Sequence, residues 1–261
     1  MIVREYRLVM PLTVDEYRVG QLYMVAKASQ QETGKTAGEG IEIVKNEPYV
    51  ENEHGMGPGQ YTEKRMYLKS KVPSFVRMVM PENALVLTEY SWNAFPHCKT
   101  VYENEWLGQK FILSVESMHA NEPGLAENPL NLKGADLEKR KVEYLNIACE
   151  DSYAPMSKGE DPRTFVSNES GRGKLAANWF LSPAIPVMCA YKVVRLQFKV
   201  LGLQRKVEEW GQFYGMQVPL IQYHRKLFCW IDEWFRLDMK KIRDMEQKTR
   251  DITKQKLQQP V

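Results

Sequence analysis

The spacing of apolar and polar residues divides the chain into strands and helices. Alternating or continuous apolar runs predict strands, because the side chains of a strand point to opposite faces in turn. The predicted strands cover residues 2–10, 41–46, 59–68, 84–93, 98–103, 111–118, 142–149 and 188–200. Apolar residues at helical spacing predict helices over residues 14–29, 207–231 and 238–256. Because most strands follow one another with short links, we expect an antiparallel meander.

The strand over residues 59–68 has the most informative face. Four of its residues share one side, namely Thr62, Lys64, Met66 and Leu68. This side begins with a hydroxyl and an ammonium and then becomes apolar. Such a strip suits a ligand with a polar head and an apolar body, whereas a half-buried strand with two solvated residues near its end is the simpler alternative.

The helices carry start signals. Thr13 and Glu16 form a Ser/Thr-x-x-Glu capping box ahead of the first helix, and Asp238 is a suitable N-cap for the last one. Pro219 is expected to break or kink the helical stretch that contains it, since proline lacks an amide donor. Gln21 is a polar residue on the apolar stripe of the first helix, where it either marks the edge of the core or contacts a ligand.

The last helix has a narrow apolar stripe that contains one acidic residue. The stripe consists of Met239, Ile242, Met245, Thr249 and Ile252. Glu246 falls on this stripe, and a carboxylate there costs free energy unless a donor satisfies it. One interpretation is a salt bridge to the body of the protein. The other is that Glu246 accepts hydrogen bonds from the hydroxyls of a ligand, beneath a helix that acts as a lid.

Two segments have unusual character. Residues 73–81 begin and end with proline, which suits a helix of about two turns. Phe75, Met78 and Val79 would line one side of it, as in a gate or a membrane-touching loop, although a plain core helix fits the spacing equally well. Residues 150–186 show little periodicity over a length that is uncommon for a loop, so we expect them to be functional or mobile.

Composition narrows the class of protein. The chain has 261 residues, a length that one sheet-based domain can reach. With 36 basic and 33 acidic residues its net charge is +3, too small for a nucleic-acid binder that depends on a strong positive field. No signal-peptide pattern opens the chain, and no segment approaches the ~20 apolar residues that span a bilayer. We therefore expect a soluble, cytoplasmic protein.

Signatures of catalysis and metal binding are missing from the sequence. It has no Gly-x-Ser-x-Gly elbow, no His-Glu-x-x-His motif and no Walker loop. The histidines lack the spacing of metal ligands, and the four scattered cysteines are expected to be reduced thiols. These residues are His54, His97, His119 and His224, and Cys98, Cys149, Cys189 and Cys229. Neither an enzyme nor a metal or cofactor is predicted.

Several short blocks of sequence, taken in their order along the chain, indicate the family of the protein. The most specific are residues 14–17 (VDEY), 19–23 (VGQLY), 46–49 (NEPY), 59–62 (GQYT), 70–73 (SKVP), 92–96 (WNAFP), 188–192 (MCAYK) and 228–230 (FCW). Together they resemble the phosphatidylinositol transfer proteins, specifically the single-domain class I type. The resemblance implies an α+β, START-like fold, in which a curved, mainly antiparallel β-sheet and helices enclose one phospholipid and a C-terminal helix closes the cavity.

The resemblance also implies where the ligand binds. Four residues match those that bind the inositol headgroup in the family: Thr62, Lys64, Asn93 and Glu246. Five match residues near the phosphate and the headgroup: Gln21, Cys98, Thr100, Ser117 and Lys192. The membrane contacts of the exchange loop and its neighbour match Phe75, Met78, Val79, Val200 and Leu201. By the same match, residues 70–80 form the lipid-exchange loop, residues 150–186 a regulatory loop and residues 238–256 the lid helix.

What the family does sets the expected function. The resemblance implies a single transfer domain over residues 1–261 that binds and exchanges phosphatidylinositol and phosphatidylcholine between membranes and presents phosphatidylinositol to lipid kinases. We expect it to act as a monomer that touches membranes transiently, without a cofactor and without nucleic acid. The alternative is a carrier of phosphatidic acid and phosphatidylinositol, or a lipid sensor that does not shuttle. Enzymatic turnover of a bound lipid is a third hypothesis, which no nucleophile-and-base pair supports.

The chain departs from the family at a few positions. Val200-Leu201 replaces the paired tryptophans of class I members, which predicts a weaker grip on membranes. Near Ser167, Glu169 and Ser170 replace the usual Lys-Thr, which argues against phosphorylation. A serine, residue 117, stands in place of threonine and keeps the hydroxyl. Cys98 favours class I, and with it phosphatidylcholine as the second ligand rather than phosphatidic acid.

Overall fold

The computed structural model describes residues 1–36, 38–149, 154–156 and 158–258. Its strands are β1 (Ile2–Met10), β2 (Gly40–Tyr49), β3 (Gly59–Tyr67), β4 (Val86–Ala94), β5 (His97–Glu103), β6 (Phe111–Ala120), β7 (Arg140–Asn146) and β8 (Met188–Phe198). Its α-helices are α1 (Val14–Glu32), α2 (Ser74–Arg77), α3 (Gly134–Lys139), α4 (Gln204–Trp210), α5 (Val218–Cys229), α6 (Ile231–Trp234) and α7 (Met239–Gln258). The expected α+β architecture is confirmed.

The eight strands form one sheet in the order β2-β3-β4-β5-β6-β8-β1-β7. The predicted meander holds from β2 to β6, but the other end of the sheet differs. There β1 lies between β8 and β7, and it pairs with β7 in parallel. These strands are far apart in sequence, so no short hairpin forces them to be antiparallel. The sheet is mainly antiparallel, as expected, since only the β1–β7 pairing among the described strands is parallel.

Several strand boundaries differ from the prediction, and those of β4 and β7 are the most instructive. Ala84 and Leu85 lie in a 3₁₀ turn, so β4 begins two residues later than expected. Strand β7 begins at Arg140 and ends at Asn146, whereas the prediction continued to residue 149. Ile147 and Ala148 are buried in the turn that follows. An apolar run therefore indicated burial correctly but did not distinguish a strand from a buried turn.

Helix α1 begins as the sequence predicts. The Thr13 hydroxyl accepts a hydrogen bond from the Glu16 amide, and the Glu16 carboxylate accepts one from the Thr13 amide. The helix continues to Glu32, beyond the predicted end. A glycine allows it to pack closely, because a Cβ at Gly20 would lie 2.9 Å from the ring of Trp234 in α6. This contact fixes α1 against the C-terminal helices.

The helical stretch around Pro219 does not break. Residues Gly211–Gln217 form a π-helix between α4 and α5, and the backbone stays right-handed helical on both sides of the junction. Pro219 is the second residue of α5. At that point the backbone hydrogen bonds change from the π-helical to the α-helical pattern, and some amides have no regular partner. The missing N–H of Pro219 therefore costs little free energy. The predicted break is therefore wrong.

The C-terminal helix α7 begins and ends within two residues of the predicted bounds, but its buried face differs. Asp238 caps it, with the Lys241 amide donating to the Asp238 carboxylate at 2.8 Å. Ile242 and Thr249 are buried as expected, whereas Ile252 is exposed and Thr253 is buried in its place. Residues on the true face recur at 3.6 per turn, and this places position 253 rather than 252 beneath the helix.

The main core lies at the β8–β1–β7 end of the sheet. Side chains of β1 and β8 pack there against α5 and α6, and the largest fully buried ones include Tyr6, Leu8, Phe228 and Trp234. Part of the predicted regulatory loop joins this core, since Leu175 and Trp179 are buried in it. Residues 150–153 and 157 of that loop lie outside the described residues, as do 37 and 259–261.

Two further expectations from the sequence concern the cysteines and membrane-spanning helices. The four cysteines are free, two of them buried. Within the described ranges, no helix combines the length and the apolar character that crossing a bilayer requires.

Candidate functional site

A cavity of about 460 Å³ lies between the sheet and the helices α1, α5 and α7. Strands β2 to β6 and β8 form its floor, and the three helices cover it. All nine residues predicted to bind the headgroup or to lie near it line this single space: Gln21, Thr62, Lys64, Asn93, Cys98, Thr100, Ser117, Lys192 and Glu246. The structure therefore brings together residues that are distributed over more than 220 positions of sequence. Their roles stay predictions.

Strand register explains how these residues meet. Directly opposed residues on neighbouring strands form a polar row across the floor, in the order Gln60, Asn93, Cys98, Ser117 and Lys192. A second row runs parallel to it, in the order Asn46, Thr62, Ser91 and Thr100. Two pairs of neighbours in these rows are hydrogen-bonded: the Cys98 thiol donates to Asn93 Oδ1 at 3.1 Å, and the Ser91 and Thr100 hydroxyls lie 3.0 Å apart.

A β-bulge brings Asn46 into the second row. Ile41 and Ile43 face the cavity, so strict alternation would place Lys45 there next. Strand β2 instead carries an extra residue between Ile43 and Lys45, opposite β3. The bulge shifts the alternation by one residue and turns the Asn46 amide inwards. Neither spacing nor composition reveals such a bulge, which is why the sequence did not indicate Asn46.

The cavity becomes apolar away from the two polar rows. Met66 lines it beside Ile41, and Leu22, Val25 and Leu220 line it from the helices. The predicted polar-to-apolar change along β3 is therefore present. Leu68 is an exception, because β3 ends at Tyr67 and the chain turns before Leu68 can reach the cavity. The space has a polar end and an apolar body, which suits one amphipathic molecule.

Lys64 does not face the cavity as a free cation. Its ammonium lies 2.7 Å from a carboxylate oxygen of Glu89, the directly opposed residue on β4. Glu89 is buried, and it also raises the pKa of Tyr102, although burial of the phenol is the larger cause. A ligand hydroxyl near Lys64 would therefore meet a donor and an acceptor together. The sequence did not indicate Glu89, because strand pairing makes it the partner.

Lys192 differs from Lys64 in its hydrogen-bond partner, which is a hydroxyl rather than a carboxylate. Its ammonium donates to Ser117 Oγ at 3.4 Å, and none of the described carboxylates forms an ion pair with it. Burial lowers the pKa of Lys192. Burial also raises the pKa of the nearby Cys98 thiol to about 11, against the pull of the Lys192 charge. A buried ammonium without a counter-ion favours a ligand that brings a negative charge.

Two buried histidines stand next to Lys192. Burial, with the Lys192 charge as the next cause, lowers the pKa of His119 and of His224 to about 3, so both rings are neutral near pH 7. The Nδ1–H of each donates to a backbone carbonyl at 2.7 Å. His224 Nε2 then accepts from the Tyr17 hydroxyl at 2.9 Å. His119 Nε2 is buried without a partner in the described structure.

Glu246 connects helix α7 to the floor of the cavity. Its carboxylate accepts from Arg243 at 2.6 Å and from the side-chain amide of Asn46 at 3.2 Å. The Asn46 carbonyl oxygen in turn accepts from Gln60 at 2.7 Å. Glu246 therefore has its salt bridge within its own helix rather than to the body of the protein, which it contacts through the Asn46 amide. It lines the cavity, and its acceptance of hydrogen bonds from a ligand stays a prediction.

The predicted membrane contacts lie outside the cavity, in a separate cluster. Its buried members are Val76, Leu107, Phe198 and Val207, with Phe75 and Val200 packed against them. Met78 is 80% exposed and Leu201 is fully exposed, and Val79 also faces outwards. Helix α2 is shorter than the two turns expected, since it covers only Ser74–Arg77. The predicted exchange loop thus packs in one cluster with Val200, and none of its residues, all of which the structure describes, lines the cavity.

Ser167 is closed off from solvent. It is 2% exposed, and its hydroxyl donates to Asp232. Glu169 forms an ion pair with Arg236, and the Ser170 hydroxyl lies 2.9 Å from that of Ser167. The residues that depart from the family pattern thus take part in holding this turn closed.

A mainly antiparallel sheet and helices around one cavity, polar at one end and apolar elsewhere, define a class of proteins that enclose an amphipathic ligand. Comparison with known proteins agrees. The family model described as phosphatidylinositol transfer protein matches residues 1–251. The chain is 45% identical to phosphatidylinositol transfer protein 2 of Dictyostelium discoideum over 99% of this chain and 98% of that protein. It is 44% identical to the human phosphatidylinositol transfer protein beta isoform over 95% and 92%. The chain belongs to the phosphatidylinositol transfer protein family.

Proposed function

We propose that this chain carries one molecule of phosphatidylinositol or phosphatidylcholine between membranes and presents phosphatidylinositol to lipid kinases. The inositol ring would occupy the polar end near Thr62, Lys64, Asn93 and Glu246, and the acyl chains the apolar body. The observation that supports this most directly is the pair of polar rows at one end of an otherwise apolar cavity. A diacyl lipid exposes roughly 30 methylene groups at about 0.8 kcal/mol each, so an apolar enclosure removes the main barrier to its transport.

Headgroup selection is proposed to come from hydrogen bonds. Inositol offers a ring of hydroxyls, and the Thr62 hydroxyl, the Lys64–Glu89 pair and the Asn93 amide supply both donors and acceptors. Choline lacks those hydroxyls. Lys192, Ser117, Cys98, Thr100 and Gln21 are proposed to surround the phosphate that both lipids share.

We propose a carrier rather than an enzyme. Burial keeps Cys98 protonated, since its pKa is about 11, and a thiol of that kind is a poor nucleophile. His119 and His224 are neutral, and their Nδ1 protons are held by backbone carbonyls. A monomeric, cytoplasmic protein that meets membranes transiently is part of the same proposal.

The test is transfer of labelled phosphatidylinositol and phosphatidylcholine between vesicles. Thr62→Ala is expected to lower phosphatidylinositol transfer about tenfold or more, because one buried hydrogen bond is worth about 1–3 kcal/mol when its partner is left unmet. Phosphatidylcholine transfer should change little. Thr88→Ala is the matched control, since Thr88 lies on the neighbouring strand but on the opposite face from Glu89. Equal loss of both activities would show that Thr62 stabilises the fold rather than recognising the head.

The role of Lys64 has to be tested together with that of its partner Glu89. Lys64→Met alone would leave the Glu89 carboxylate buried without its partner and destabilise the protein. The informative variant is Lys64→Met combined with Glu89→Gln, compared with Glu89→Gln alone. Loss of phosphatidylinositol transfer only in the double variant supports a role for the ammonium in binding the head.

The second candidate is a lipid sensor that holds ligand without shuttling, or a carrier of phosphatidic acid. The replacement of paired tryptophans by Val200-Leu201 favours it. Mass spectrometry of lipid that co-purifies from cells identifies the cargo. Bound lipid without vesicle-to-vesicle transfer would favour the sensor.

A further inference from the structure

Three segments meet at the cluster that contains the predicted exchange loop. Val76 comes from α2, Leu107 from the turn between β5 and β6, and Val207 from α4, and all three are buried together. The backbone ties two of these segments directly, because the Lys199 amide donates to the Lys110 carbonyl at 2.7 Å. The β5–β6 turn is therefore a fixed part of this end of the molecule.

Each of the three segments also exposes large apolar side chains. These are Met78 and Val79, Trp106, and Leu201, which together are termed the apolar tip. The Trp106 side chain is 48% exposed, which makes it the most exposed of the six tryptophans in the chain. An exposed apolar group of this size on a fixed base marks an interaction surface.

We infer that Trp106 is the interfacial anchor through which the apolar tip docks on an anionic phospholipid bilayer. Indole rings prefer the boundary between headgroups and acyl chains, because one part of the ring is apolar and its N–H remains able to donate to polar groups. The chain lacks tryptophan at Val200 and Leu201, but Trp106 lies on the turn adjoining that segment. This inference rests on the proposed transfer function and names the residue that brings the carrier to the membrane.

Charge around the apolar tip favours an anionic surface. The segments 69–82, 105–110 and 199–209 contain seven basic and four acidic residues, so they carry a net charge equal to that of the whole chain, +3. One of the acidic residues, Glu208, is buried and accepts from the Phe198 amide at 2.9 Å. In the described structure Arg77, Lys110 and Lys199 form no ion pair and are exposed. Each exposed cation near an anionic bilayer strengthens binding about fivefold.

The primary experiment measures binding of the full chain to phosphatidylcholine vesicles with and without phosphatidylserine. Trp106→Ala is expected to weaken binding to the anionic vesicles about tenfold or more, because a half-exposed indole has a large apolar area to bury. In the unmodified chain, brominated lipids are expected to quench tryptophan fluorescence, and Trp106→Phe should abolish most of that quenching. Tyr214→Ala is the matched control, since this exposed aromatic lies in the π-helix, outside the cluster.

A rescue separates docking from folding. Introducing Val200→Trp and Leu201→Trp into the Trp106→Ala variant should restore vesicle binding, because the new rings would stand on the adjoining turn. Unchanged thermal unfolding of Trp106→Ala is expected, since the ring is not part of the buried cluster.

Two outcomes distinguish this inference from the proposed function. If the unmodified chain docks through Trp106 but transfers no lipid, the docking surface stands and the carrier function fails. If Trp106→Ala binds anionic vesicles as tightly as the unmodified chain, the inference is overturned, whatever the transfer assay shows.

Discussion

At the scale of single residues, the polar end of the cavity combines a neutralised cation with a free one. Lys64 is paired with Glu89, whereas Lys192 has only a hydroxyl as its hydrogen-bond partner. The first arrangement suits uncharged hydroxyls and the second suits a phosphate. The two lysines are therefore expected to respond to different parts of a phospholipid.

Lys192→Met is expected to lower the transfer of phosphatidylinositol and phosphatidylcholine alike. The phosphate is common to both lipids, and a charge-assisted hydrogen bond is worth about 1.5–3 kcal/mol, which corresponds to roughly tenfold to a hundredfold in affinity. Unfolding in urea serves as the stability control, and the variant should be at least as stable because a buried charge is removed.

Lys141→Met provides the matched comparison, since this exposed lysine lies on β7 away from the cavity. Loss of phosphatidylinositol transfer alone, with phosphatidylcholine transfer intact, would assign Lys192 to the head instead of the phosphate.

The sequence indicated the cavity residues through family blocks, and the period-two pattern of β3 indicated Thr62 and Lys64 independently. It could not indicate Glu89 or Asn46. Glu89 becomes a partner only when β4 pairs with β3 in one register, and Asn46 turns inwards only because of the bulge in β2. Period and composition describe one strand at a time, so contacts between strands stay hidden.

At the scale of elements, α7 is held to the body mainly by polar contacts. Ile242 is its one buried apolar residue among those described. The other attachments are hydrogen bonds, such as Gln30 to Thr249 at 2.6 Å, Arg250 to the Val44 carbonyl at 2.9 Å, and Lys256 to the Gln30 carbonyl at 2.7 Å. Water can replace such bonds at a net cost of only about 0.5–1.5 kcal/mol each.

Helix α7 is therefore expected to open before the rest of the molecule. Hydrogen exchange followed by mass spectrometry should show α7 amides exchanging at least about tenfold faster than those of α5, because local opening needs less free energy than global unfolding. Helix α5 is a suitable internal reference, since Ile221, Leu227 and Phe228 are fully buried. Equal protection of the two helices would contradict a lid that opens by itself.

The prediction of elements succeeded where the signal was local. The capping box of α1 and the Asp238 cap of α7 each depend on residues within one turn, and both are present. It failed at Pro219, where the change from π-helix to α-helix accommodates the missing amide. It also failed in the order of the strands, because β1 pairs with strands that lie more than 130 residues later in the sequence.

At the scale of the whole molecule, buried neutral histidines make stability depend on pH. His119 and His224 have a folded-state pKa of about 3, and an unfolded histidine has one near 6.5. Between these values the unfolded chain binds protons that the folded protein does not, so the free energy of unfolding falls as pH decreases from about 6.5. Each histidine contributes about 1.4 kcal/mol per pH unit in that window.

Urea unfolding at pH 7, 6 and 5 should thus show a progressive loss of stability, before most carboxylates titrate. His119→Asn should reduce the dependence of the free energy of unfolding on pH by the equivalent of about one bound proton, because it removes one of the two histidines. His97→Asn is the control, since His97 is exposed. A free energy of unfolding that stays constant between pH 7 and pH 5 would show that the two rings are not kept neutral by burial.

The position of β1 has a consequence for synthesis on the ribosome. Strand β1 (Ile2–Met10) precedes all the other strands in the sequence, and both of its neighbours in the sheet, β7 and β8, are translated far later. At about 5–20 residues per second, β8 follows β1 by roughly 10 to 40 s. Tyr6, Leu8 and Met10 are fully buried in the folded protein. Throughout that interval their apolar side chains lack the strands against which they pack. Strand β1 is therefore expected to need protection from aggregation during synthesis until β7 and β8 have been made.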